Sequence, residues 1–373
     1  MEKAKAMVLL SALLLVLPCG SAFAGWNVQS VDGVGEVQNY HYTSLALGAG
    51  GNPSIAYYDA TYSDLKYAGW KGSSWDIQVV DSPGEVGRYA SLALDANGRP
   101  RISYMDVTNG QLKYAAWTGF NWDMRTVGNA NGWTSLALDA NGNPCIAYYG
   151  GGLKYAFWNG TTWDTQSVDN VGDVGRYASL ALDANGKPRI SYMDVTNGQL
   201  KYAAWNGSSW DIQIVDGSWA CWDTSLALDA TGAPCISYNS SNGDLKYAMW
   251  DGSKWNIQLV DSPGYALFSS LALDASGKPK ISYYQQLGCH LKLASWDGSS
   301  WAIETVDGSG DAGWYSSLAL DGAGNPCMSY LDWGDDQLKY ARFDESTPVP
   351  EPSSCALLAG GLLGLTGLLR RRK

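Results

Sequence analysis

Short runs of alternating apolar and polar residues recur along this chain with a period of about 45 residues. Each unit begins with S-L-A-L-D, and four strand-like runs follow within it. The first serine of the unit occurs seven times, at Ser44, Ser91, Ser135, Ser179, Ser225, Ser270 and Ser317. Period-two alternation is typical of strands with one buried face. Four short strands in a fixed repeat predict an all-β, seven-bladed β-propeller with four antiparallel strands per blade.

The second unit shows where the strands of a blade are expected. Strands one to three are predicted at 91–94, 102–105 and 112–117, and strand four begins at Trp122. The turns between them contain glycine, which tolerates a positive φ. A proline opens strand two in every unit, where a strand can accommodate it: Pro53, Pro100, Pro144, Pro188, Pro234, Pro279 and Pro326.

The seventh unit lacks its last strand. It runs from Ser317 to Phe343 without the W-x-x-x-x-V-D segment that ends the other units. That segment occurs instead near the N-terminus, at Trp26–Asp32. We expect the N-terminal strand to complete the last blade and close the ring, which removes the open sheet edges. An open solenoid would need capping units, and none is visible.

An up-and-down blade presents two kinds of connection on opposite faces. The turns between strands one and two and between strands three and four share one face, called here the hairpin face, and their sequences are monotonous. The loops from strand two to three and from strand four to the next blade share the other. These loops differ in length and content, so this variable face is where a ligand is expected.

An aromatic residue lies two positions before the first serine in six units and one position earlier in the fifth. These residues are Tyr42, Tyr89, Trp133, Tyr177, Trp222, Phe268 and Tyr315. If they surround the central mouth, they would form stacking platforms for sugars. The alternative is that each ring is wedged between adjacent blades and only packs.

Acidic residues recur at the end of strand two, at Asp59, Asp106, Asp194 and Asp332. Carboxylates near a mouth could bind sugar hydroxyls or calcium, or they could cap the following turn. Among metal ions, only calcium is suggested by these carboxylates. The sequence, however, contains no D-x-D-x-D-G loop of the kind that binds calcium. We therefore predict no metal site and no cofactor.

Strand three carries a lysine in every unit. Counting back from the hairpin places Lys66 diagonal to Asp81 in the same blade. A pair repeated around the ring is expected to be structural, and cross-strand charge pairs contribute about 0.2–1 kcal/mol each.

Catalytic templates find little support. The chain has two histidines, His41 and His290, and sialidase chemistry would need three clustered arginines. Arg88 and Arg176 are expected on the variable face, but no third arginine joins them. Nothing singles out a carboxylate pair for glycoside hydrolysis either.

Two units are nearly identical. Segments 84–117 and 172–205 differ at two positions, loops included. Duplicated loops give duplicated surfaces, which favours multivalent binding over a single catalytic centre. A recent duplication without functional meaning would leave the same pattern.

Two cysteines stand in unusual loops of neighbouring blades on the variable face. Cys221 and Cys289 could form a disulfide there if the protein is exported. Cys145, Cys235 and Cys327 share one repeat position and are expected to be small buried residues.

The W-x-G-x-x-W turn between strands three and four, as in Trp158–Trp163, is similar to the Asp-box of sialidase-like propellers, which also ends G-x-T-W. Tryptophan stands here in place of the aspartate that names the box. The resemblance therefore supports the propeller fold but does not imply sialidase activity.

The N-terminus has the features of a secretory signal. Lys3 and Lys5 precede an apolar stretch, and Ala22-Phe23-Ala24 fits a cleavage site before Gly25. We predict a signal peptide at 1–24, handled by the Sec translocon and signal peptidase, with an uncleaved membrane anchor as the alternative. The propeller is expected to span 25–344.

The C-terminus resembles the PEP-CTERM sorting signal of Gram-negative bacteria. Pro350, Glu351 and Pro352 precede a short apolar run and the basic end Arg370–Lys373. The resemblance implies that 345–373 is a sorting signal with a short transmembrane helix and a basic tail, processed by an exosortase. It implies export to the cell surface or extracellular matrix through a transient inner-membrane intermediate. The alternative is a permanent tail anchor.

Charge narrows the range of partners. The whole chain carries −11. Segment 1–24 contributes +1 and the tail from Pro350 contributes +3, so the remainder carries −15. The phosphate backbone of a nucleic acid would be repelled by such an acidic domain. This excludes nucleic acid as a binding partner.

These observations favour an exported binding module, with polysaccharide as the expected ligand and without catalytic activity. Two alternatives stay open. One is a polysaccharide lyase or glycoside hydrolase with its site at the channel mouth. The other is a structural or protein-binding surface protein.

Overall fold

The structure, a computed structural model, describes residues 25–35 and 42–344. Within these ranges 28 strands form seven four-stranded antiparallel sheets, and no residue lies in a helix. The innermost strands of consecutive sheets contact one another, and the last contacts the first, so the sheets are blades of a closed ring. The predicted seven-bladed propeller is confirmed.

The strands of blades one to four are as follows. Blade one contains β2 (Thr43–Leu47), β3 (Pro53–Asp59), β4 (Asp64–Trp70) and β5 (Trp75–Asp81). Blade two contains β6 (Val86–Leu94), β7 (Pro100–Asp106), β8 (Gln111–Trp117) and β9 (Trp122–Asn129). Blade three contains β10 (Gly132–Leu138), β11 (Pro144–Tyr149), β12 (Leu153–Trp158) and β13 (Trp163–Asp169). Blade four contains β14 (Val174–Leu182), β15 (Pro188–Asp194), β16 (Gln199–Trp205) and β17 (Trp210–Asp216).

The remaining strands complete the ring. Blade five contains β18 (Ala220–Leu228), β19 (Pro234–Ser240), β20 (Leu245–Trp250) and β21 (Trp255–Asp261). Blade six contains β22 (Ala266–Leu273), β23 (Pro279–Gln285), β24 (His290–Trp296) and β25 (Trp301–Asp307). Blade seven contains β26 (Ala312–Leu320), β27 (Pro326–Asp332), β28 (Gln337–Phe343) and β1 (Trp26–Gly33). Each strand two begins at its proline, as predicted.

The N-terminal strand closes the ring. β1 pairs antiparallel with β28, with Trp26 opposite Phe343 and their ring centroids 5.4 Å apart. The backbone N–H of Asp344 donates to the carbonyl of Gly25 at 2.6 Å. Both ends of the described propeller therefore lie together on the hairpin face. The predicted signal peptide and sorting tail lie outside the described residues, and the part of the chain described here has no helix that could span a membrane.

The core lies between blades, and small polar side chains join them. In all seven blades the first serine accepts a hydrogen bond at its Oγ from a leucine N–H of the next blade, with N···O distances of 2.9–3.0 Å. At the perimeter, the paired tryptophans of each hairpin have centroids 5.3–5.7 Å apart. Trp122 also donates from its indole N–H to Gln78 of the preceding blade at 3.2 Å.

The predicted pairing of strand-three lysines with the strand-four aspartates of the same blade is wrong. Lys66 lies opposite Val79, whereas Asp81 lies opposite Leu65 because the register shifts between them. The shift leaves Val80 as the extra residue of a β-bulge, and its side chain is buried. A one-residue slip moves a side chain to the other face of the sheet. Asp81 therefore faces blade two and not Lys66.

Each of these aspartates joins two blades instead. Asp169 accepts a hydrogen bond from the Tyr192 hydroxyl of the next blade at 2.8 Å, and Lys201 of that blade approaches it to 3.3 Å. The tyrosine hydrogen bond recurs at Asp32, Asp81, Asp216, Asp261 and Asp307. Blade two has Gly128 at this position and lacks the acid.

Candidate functional site

The aromatic residues before the first serines form a belt around the central axis. Six of them contact one another in series, with centroids 4.1–5.2 Å apart between adjacent blades: Tyr42, Tyr89, Trp133, Tyr177, Phe268 and Tyr315. Five of them have a positive φ, between 37° and 56°, which residues other than glycine adopt at a cost: Tyr89, Trp133, Tyr177, Phe268 and Tyr315. Neighbouring rings cover much of each face, so the role of the belt as a set of sugar platforms stays a prediction.

Blade five interrupts this belt. Asp223 immediately precedes Thr224-Ser225 and so holds the position that an aromatic ring has in the other six blades, and Trp222 lies one residue earlier. The side chain of Trp222 lies outside the described residues. The Asp223 carboxylate is 6 % exposed and accepts hydrogen bonds from the backbone N–H and the hydroxyl of Ser269 at 3.1 and 3.0 Å. Burial raises the pKa of this carboxyl to about 7.

A small cavity lies on the axis beside the belt. Its volume is about 190 Å³, and it is lined by the belt rings, the hydroxyl residues of the inner strands and Asp223. The serine hydroxyls around it already accept hydrogen bonds from the next blade. We therefore attribute the cavity to the closure of the ring. Asp223 is the one carboxylate among the residues that line it.

The aspartates at the ends of strand two cap turns and form ion pairs. All four are at most 3 % exposed. Asp194 accepts hydrogen bonds from the backbone N–H and side-chain amide of Asn197 at 3.0 and 2.9 Å, and Lys201 lies 2.7 Å away. Burial alone would raise the pKa of Asp194, but these hydrogen bonds outweigh it and lower the pKa. Asp59, Asp106 and Asp332 cap their turns in the same way.

The structure does not form the predicted disulfide. Cys289 is a free thiol with its Sγ 3.6 Å from the carbonyl oxygen of Gln286, and the side chain of Cys221 lies outside the described residues. Cys145, Cys235 and Cys327 are buried free thiols, as expected. Within the described ranges, no group of three or more His, Cys, Asp or Glu side chains is arranged to hold a metal ion.

A larger pocket opens on the variable face at the cleft between blades two and three. Its volume is about 420 Å³. Met105, Val107 and Gly110 form one wall, and Ala130 and Asn131 face them. The rings of Tyr89, Trp133 and Tyr149 and the side chains of Arg88 and Arg176 complete the lining. We call this the Arg88–Arg176 pocket.

Each arginine of the pocket is held by an acid and an aromatic ring. The Arg176 guanidinium lies 5.4 Å above Trp133 and 5.6 Å above Tyr149, and its Nη2 is 2.7 Å from Asp173. The Tyr149 hydroxyl donates to the same carboxylate at 3.0 Å. The two carboxylate oxygens of Asp173 thus fix the guanidinium through its Nε and Nη2, and the remaining N–H groups of Arg176 can donate to a ligand.

Arg88 has a similar arrangement at the cleft between blades one and two. Its guanidinium lies 5.6 Å above Tyr58, and its Nη2 is 2.5 Å from Glu85. The side chains that line the pocket include no carboxylate. The arrangement can present hydrogen-bond donors and ring faces to a polar ligand, but it has no pair of acids for glycoside hydrolysis.

Sequence reasoning placed both arginines on the variable face but did not bring them together. In the sequence the two arginines belong to separate units, and no third arginine accompanies them. The structure shows that the duplicated blades two and four stand on either side of blade three, so one arginine from each flanks the same pocket. The duplication itself was the signal that could have suggested this.

Another cavity lies on the hairpin face, between blades six and seven, with a volume of about 680 Å³. The turns at 274–276 and 321–325 and the ring of Phe343 line it. Blade seven lacks a hairpin at this point because two chain ends meet there. Asp321 accepts backbone hydrogen bonds within its own turn. We attribute this cavity to ring closure.

Comparison with known families identifies the C-terminal segment. Residues 348–373 match the family described as PEP-CTERM protein-sorting motif. The chain carries a PEP-CTERM sorting motif. The PEP-CTERM motif implies export, surface association in Gram-negative bacteria and an exosortase as a partner. Its residues Pro350, Glu351 and Pro352 lie outside the described structure. No curated protein sequence matches the chain.

Solved structures similar to the propeller include lectins. The Aleuria aurantia lectin in complex with Fucα1-6GlcNAc is 16 % identical, with a TM-score of 0.52 over 75 % of this chain and 99 % of that one. AofleA from Arthrobotrys oligospora is 16 % identical, with a TM-score of 0.54 over 75 % and 89 %. YCF48 bound to D1 peptide is 13 % identical, with a TM-score of 0.60 over 86 % and 97 %. At these identities the likeness concerns the fold alone.

Proposed function

We propose that this protein is an exported surface or matrix protein whose propeller binds polysaccharide in the Arg88–Arg176 pocket. The observation that carries the proposal is the pocket itself, with two fixed guanidinium groups beside three aromatic rings. The sorting motif supplies the location, at the cell surface or in the extracellular matrix. One structural neighbour supplies a precedent, a lectin in complex with Fucα1-6GlcNAc.

A sugar ring fits the chemistry of this pocket. A pyranose has hydroxyl groups around its edge and an apolar patch of C–H groups on its face. Aromatic rings cover such patches, and a fixed guanidinium donates to hydroxyl oxygens without losing much side-chain entropy. The volume of about 420 Å³ lies within the range of about 300–1,000 Å³ typical of small-molecule sites.

The ends of the chain complete the proposal. Segment 1–24 directs export through the Sec translocon and is removed by signal peptidase. Segment 345–373 holds the protein transiently in the inner membrane until exosortase processing releases it. The propeller at 25–344 then acts without a cofactor.

The test is a binding screen with the propeller, residues 25–344. The panel consists of the methyl pyranosides of fucose, galactose, glucose, mannose, N-acetylglucosamine and glucuronic acid, together with bacterial exopolysaccharide fragments. Fucose is included because a structural neighbour is a complex with a fucosyl disaccharide. Arg176→Ala should weaken binding at least tenfold by isothermal titration calorimetry, because it removes a charge-assisted donor and a stacked group.

Arg125 provides a matched control. Its guanidinium lies 4.8 Å above Trp158 and its Nη2 is 2.8 Å from Asp123, but it lies on the outer strand far from the pocket. Arg125→Ala should leave affinity unchanged. Equal losses in both variants, or no binding by the wild type to any sugar, would reject the proposal.

A protein-binding role is the second candidate, and one observation favours it. Among the described residues, eight exposed large apolar side chains lie in loops of the variable face, whereas the hairpin face has Phe120: Tyr62, Val107, Val171, Val195, Trp219, Tyr265, Leu287 and Trp333. Exposed apolar side chains of this kind often mark interaction surfaces. If no sugar binds, pull-down from a matrix extract with Trp333→Ser as the comparison would test this candidate.

A further inference from the structure

The wall of the Arg88–Arg176 pocket occurs twice in the molecule. Blade two contributes Tyr89, Met105, Val107 and Gly110, and blade four has the same residue types at corresponding positions. The two copies also share their local geometry. φ is 63° at Gly110 and 64° at Gly198, and it is 56° at Tyr89 and 55° at Tyr177.

The hydrogen bonds behind the wall are duplicated as well. The N–H of Glu85 donates to Thr108 Oγ1 at 2.7 Å, and that of Asp173 donates to Thr196 at the same distance. Val107 N–H donates to the carbonyl of Glu85 at 2.8 Å, a bond that blade four also repeats. The chain therefore presents the same wall at the cleft between blades two and three and at the cleft between blades four and five, while the residues that face this wall differ.

The clefts differ in what covers the glycine. A Cβ placed on Gly110 would have no atom within 4 Å, so the surface of Gly110 is open to the pocket. A Cβ placed on Gly198 would lie 2.8–3.3 Å from three ring atoms of Trp219. The indole of Trp219 thus lies on the second copy of the wall and occupies the space that is open in the first.

This contact shows what shape the wall accepts. A flat ring lies directly on Gly198, and any side chain at that position would prevent it. Trp219 remains 64 % exposed and has a φ of 50°, a strained conformation for tryptophan. Because this ring is largely exposed and its backbone is strained, it is easier to displace than the ring of a core residue.

A buried amide lies beside the covered wall. Asn239 is the sixth residue of strand two of blade five, counted from its proline, and so holds the position of Tyr149, which lines the open pocket. Asn239 is 1 % exposed, and within the described ranges neither its side-chain oxygen nor its nitrogen has a hydrogen-bond partner. Buried polar groups usually have partners, and a hydroxylated ligand in this cleft would supply one.

We propose that the cleft between blades four and five is a second pyranose-binding site of the same polysaccharide, closed by the ring of Trp219. The proposal rests on the proposed function, because it assigns the ligand of the first pocket to the second. It gives the protein one open site and one latent site. Removing or displacing the indole converts a monovalent protein into a bivalent one.

Native mass spectrometry with the six methyl pyranosides tests this by counting bound sugars. The wild type should bind one sugar per chain, and Trp219→Gly should bind two, since glycine adopts the positive φ without strain. Phe120→Gly removes a 93 % exposed aromatic side chain from the hairpin face and should still bind one. Trp219→Ala provides a second variant if the glycine loop lowers the yield of folded protein.

Each outcome separates the two proposals. One sugar in both the wild type and the Trp219 variants would overturn the latent site and leave the proposed function standing. Two sugars already in the wild type would overturn the closure by Trp219. No sugar in any protein would overturn the proposed function, and the latent site with it.

Discussion

Asp223 is a single residue that breaks the symmetry of the axis. Six blades place an aromatic ring beside the central cavity, and blade five places a buried carboxyl there. Its two hydrogen bonds from Ser269 do not offset the loss of hydration, so its pKa rises to about 7. The folded protein therefore holds this proton more tightly than the unfolded chain does.

This difference predicts a pH-dependent stability. Because the pKa of Asp223 is higher in the folded state, its contribution to stability is complete below about pH 4 and is lost as the pH rises to about 7, with a slope of up to about 1.4 kcal/mol per pH unit. Asp223→Asn cannot ionise. Its free energy of unfolding, measured by urea denaturation, should exceed that of the wild type at pH 8 by more than at pH 4.

The control for this prediction is Asp335→Asn, whose side chain is 63 % exposed. It should not change the difference between pH 4 and pH 8 appreciably. A pH dependence of Asp223→Asn identical to that of the wild type would contradict a buried, proton-binding carboxyl.

For individual residues, the sequence predicted where the aromatic side chains of each unit lie along the chain better than it predicted their backbone conformation and contacts. It located the aromatic residues before each serine, but not their positive φ values, because backbone strain leaves no mark on residue type. In blade five the aromatic pattern pointed to Trp222, and the structure gives the position to Asp223. A period counted on aromatic residues alone could not anticipate a carboxyl.

The strand-four bulge is the element that decides how blades are joined. It turns the valine of the V-D pair into the core and the aspartate towards the next blade, where tyrosine and lysine meet it. Removing one partner of a buried ion pair strongly destabilises a fold, because the other charge stays buried without compensation. The junction between blades two and three lacks this acid, since it has Gly128.

Gly128→Asp should therefore stabilise the protein. Gly128 does not have a positive φ, and a Cβ there would lie 3.6 Å from the Tyr148 hydroxyl, so the new side chain has room. The carboxylate would face Tyr148 and Lys154, which hold the positions of the partners in other blades. We expect a gain of about 1 kcal/mol in the free energy of unfolding, measured by chemical denaturation.

The reverse substitution provides the comparison. Asp81→Gly removes the acid from an intact junction and should cost about 3 kcal/mol, because it leaves Lys113 and Tyr104 without their shared acceptor. If Gly128→Asp proves destabilising while Asp81→Gly is neutral, the assignment of these aspartates as junction residues is wrong.

The strands could be predicted from the sequence because alternation and turn residues agree in every unit. The bulge could not, since V-V-D reads as ordinary continuation of a strand. That one extra residue explains why the lysine pairing was assigned to the wrong blade. The Arg88–Arg176 pocket could not be predicted from the sequence for a related reason. Its two arginines belong to blades two and four and flank one pocket across the intervening blade three.

At the scale of the whole molecule, ring closure sets the orientation of the binding face. Gly25 and Asp344 are hydrogen-bonded on the hairpin face, so the segment that leads to the sorting motif departs from that face. The Arg88–Arg176 pocket lies on the opposite, variable face. The described chain ends and the pocket therefore lie on opposite faces of the propeller.

The stability of the ring should depend on its closing strand. Trp26 is 7 % exposed, packs against Phe343 and donates to Glu304 of blade six at 3.3 Å. Trp26→Ala removes these contacts and should lower the free energy of unfolding by about 3–5 kcal/mol. Phe120→Ala, at a 93 % exposed ring, should change it little, and a similarly small effect at Trp26 would contradict closure by β1.

The most direct test of the account is a crystal structure of residues 25–344 with the tightest-binding saccharide of the panel. The account predicts one pyranose in the Arg88–Arg176 pocket, with its hydroxyls hydrogen-bonded to a guanidinium and its face against an aromatic ring. Trp219 should still cover the second wall at low saccharide concentration. Saccharide bound at the axial belt with the Arg88–Arg176 pocket empty would contradict the account.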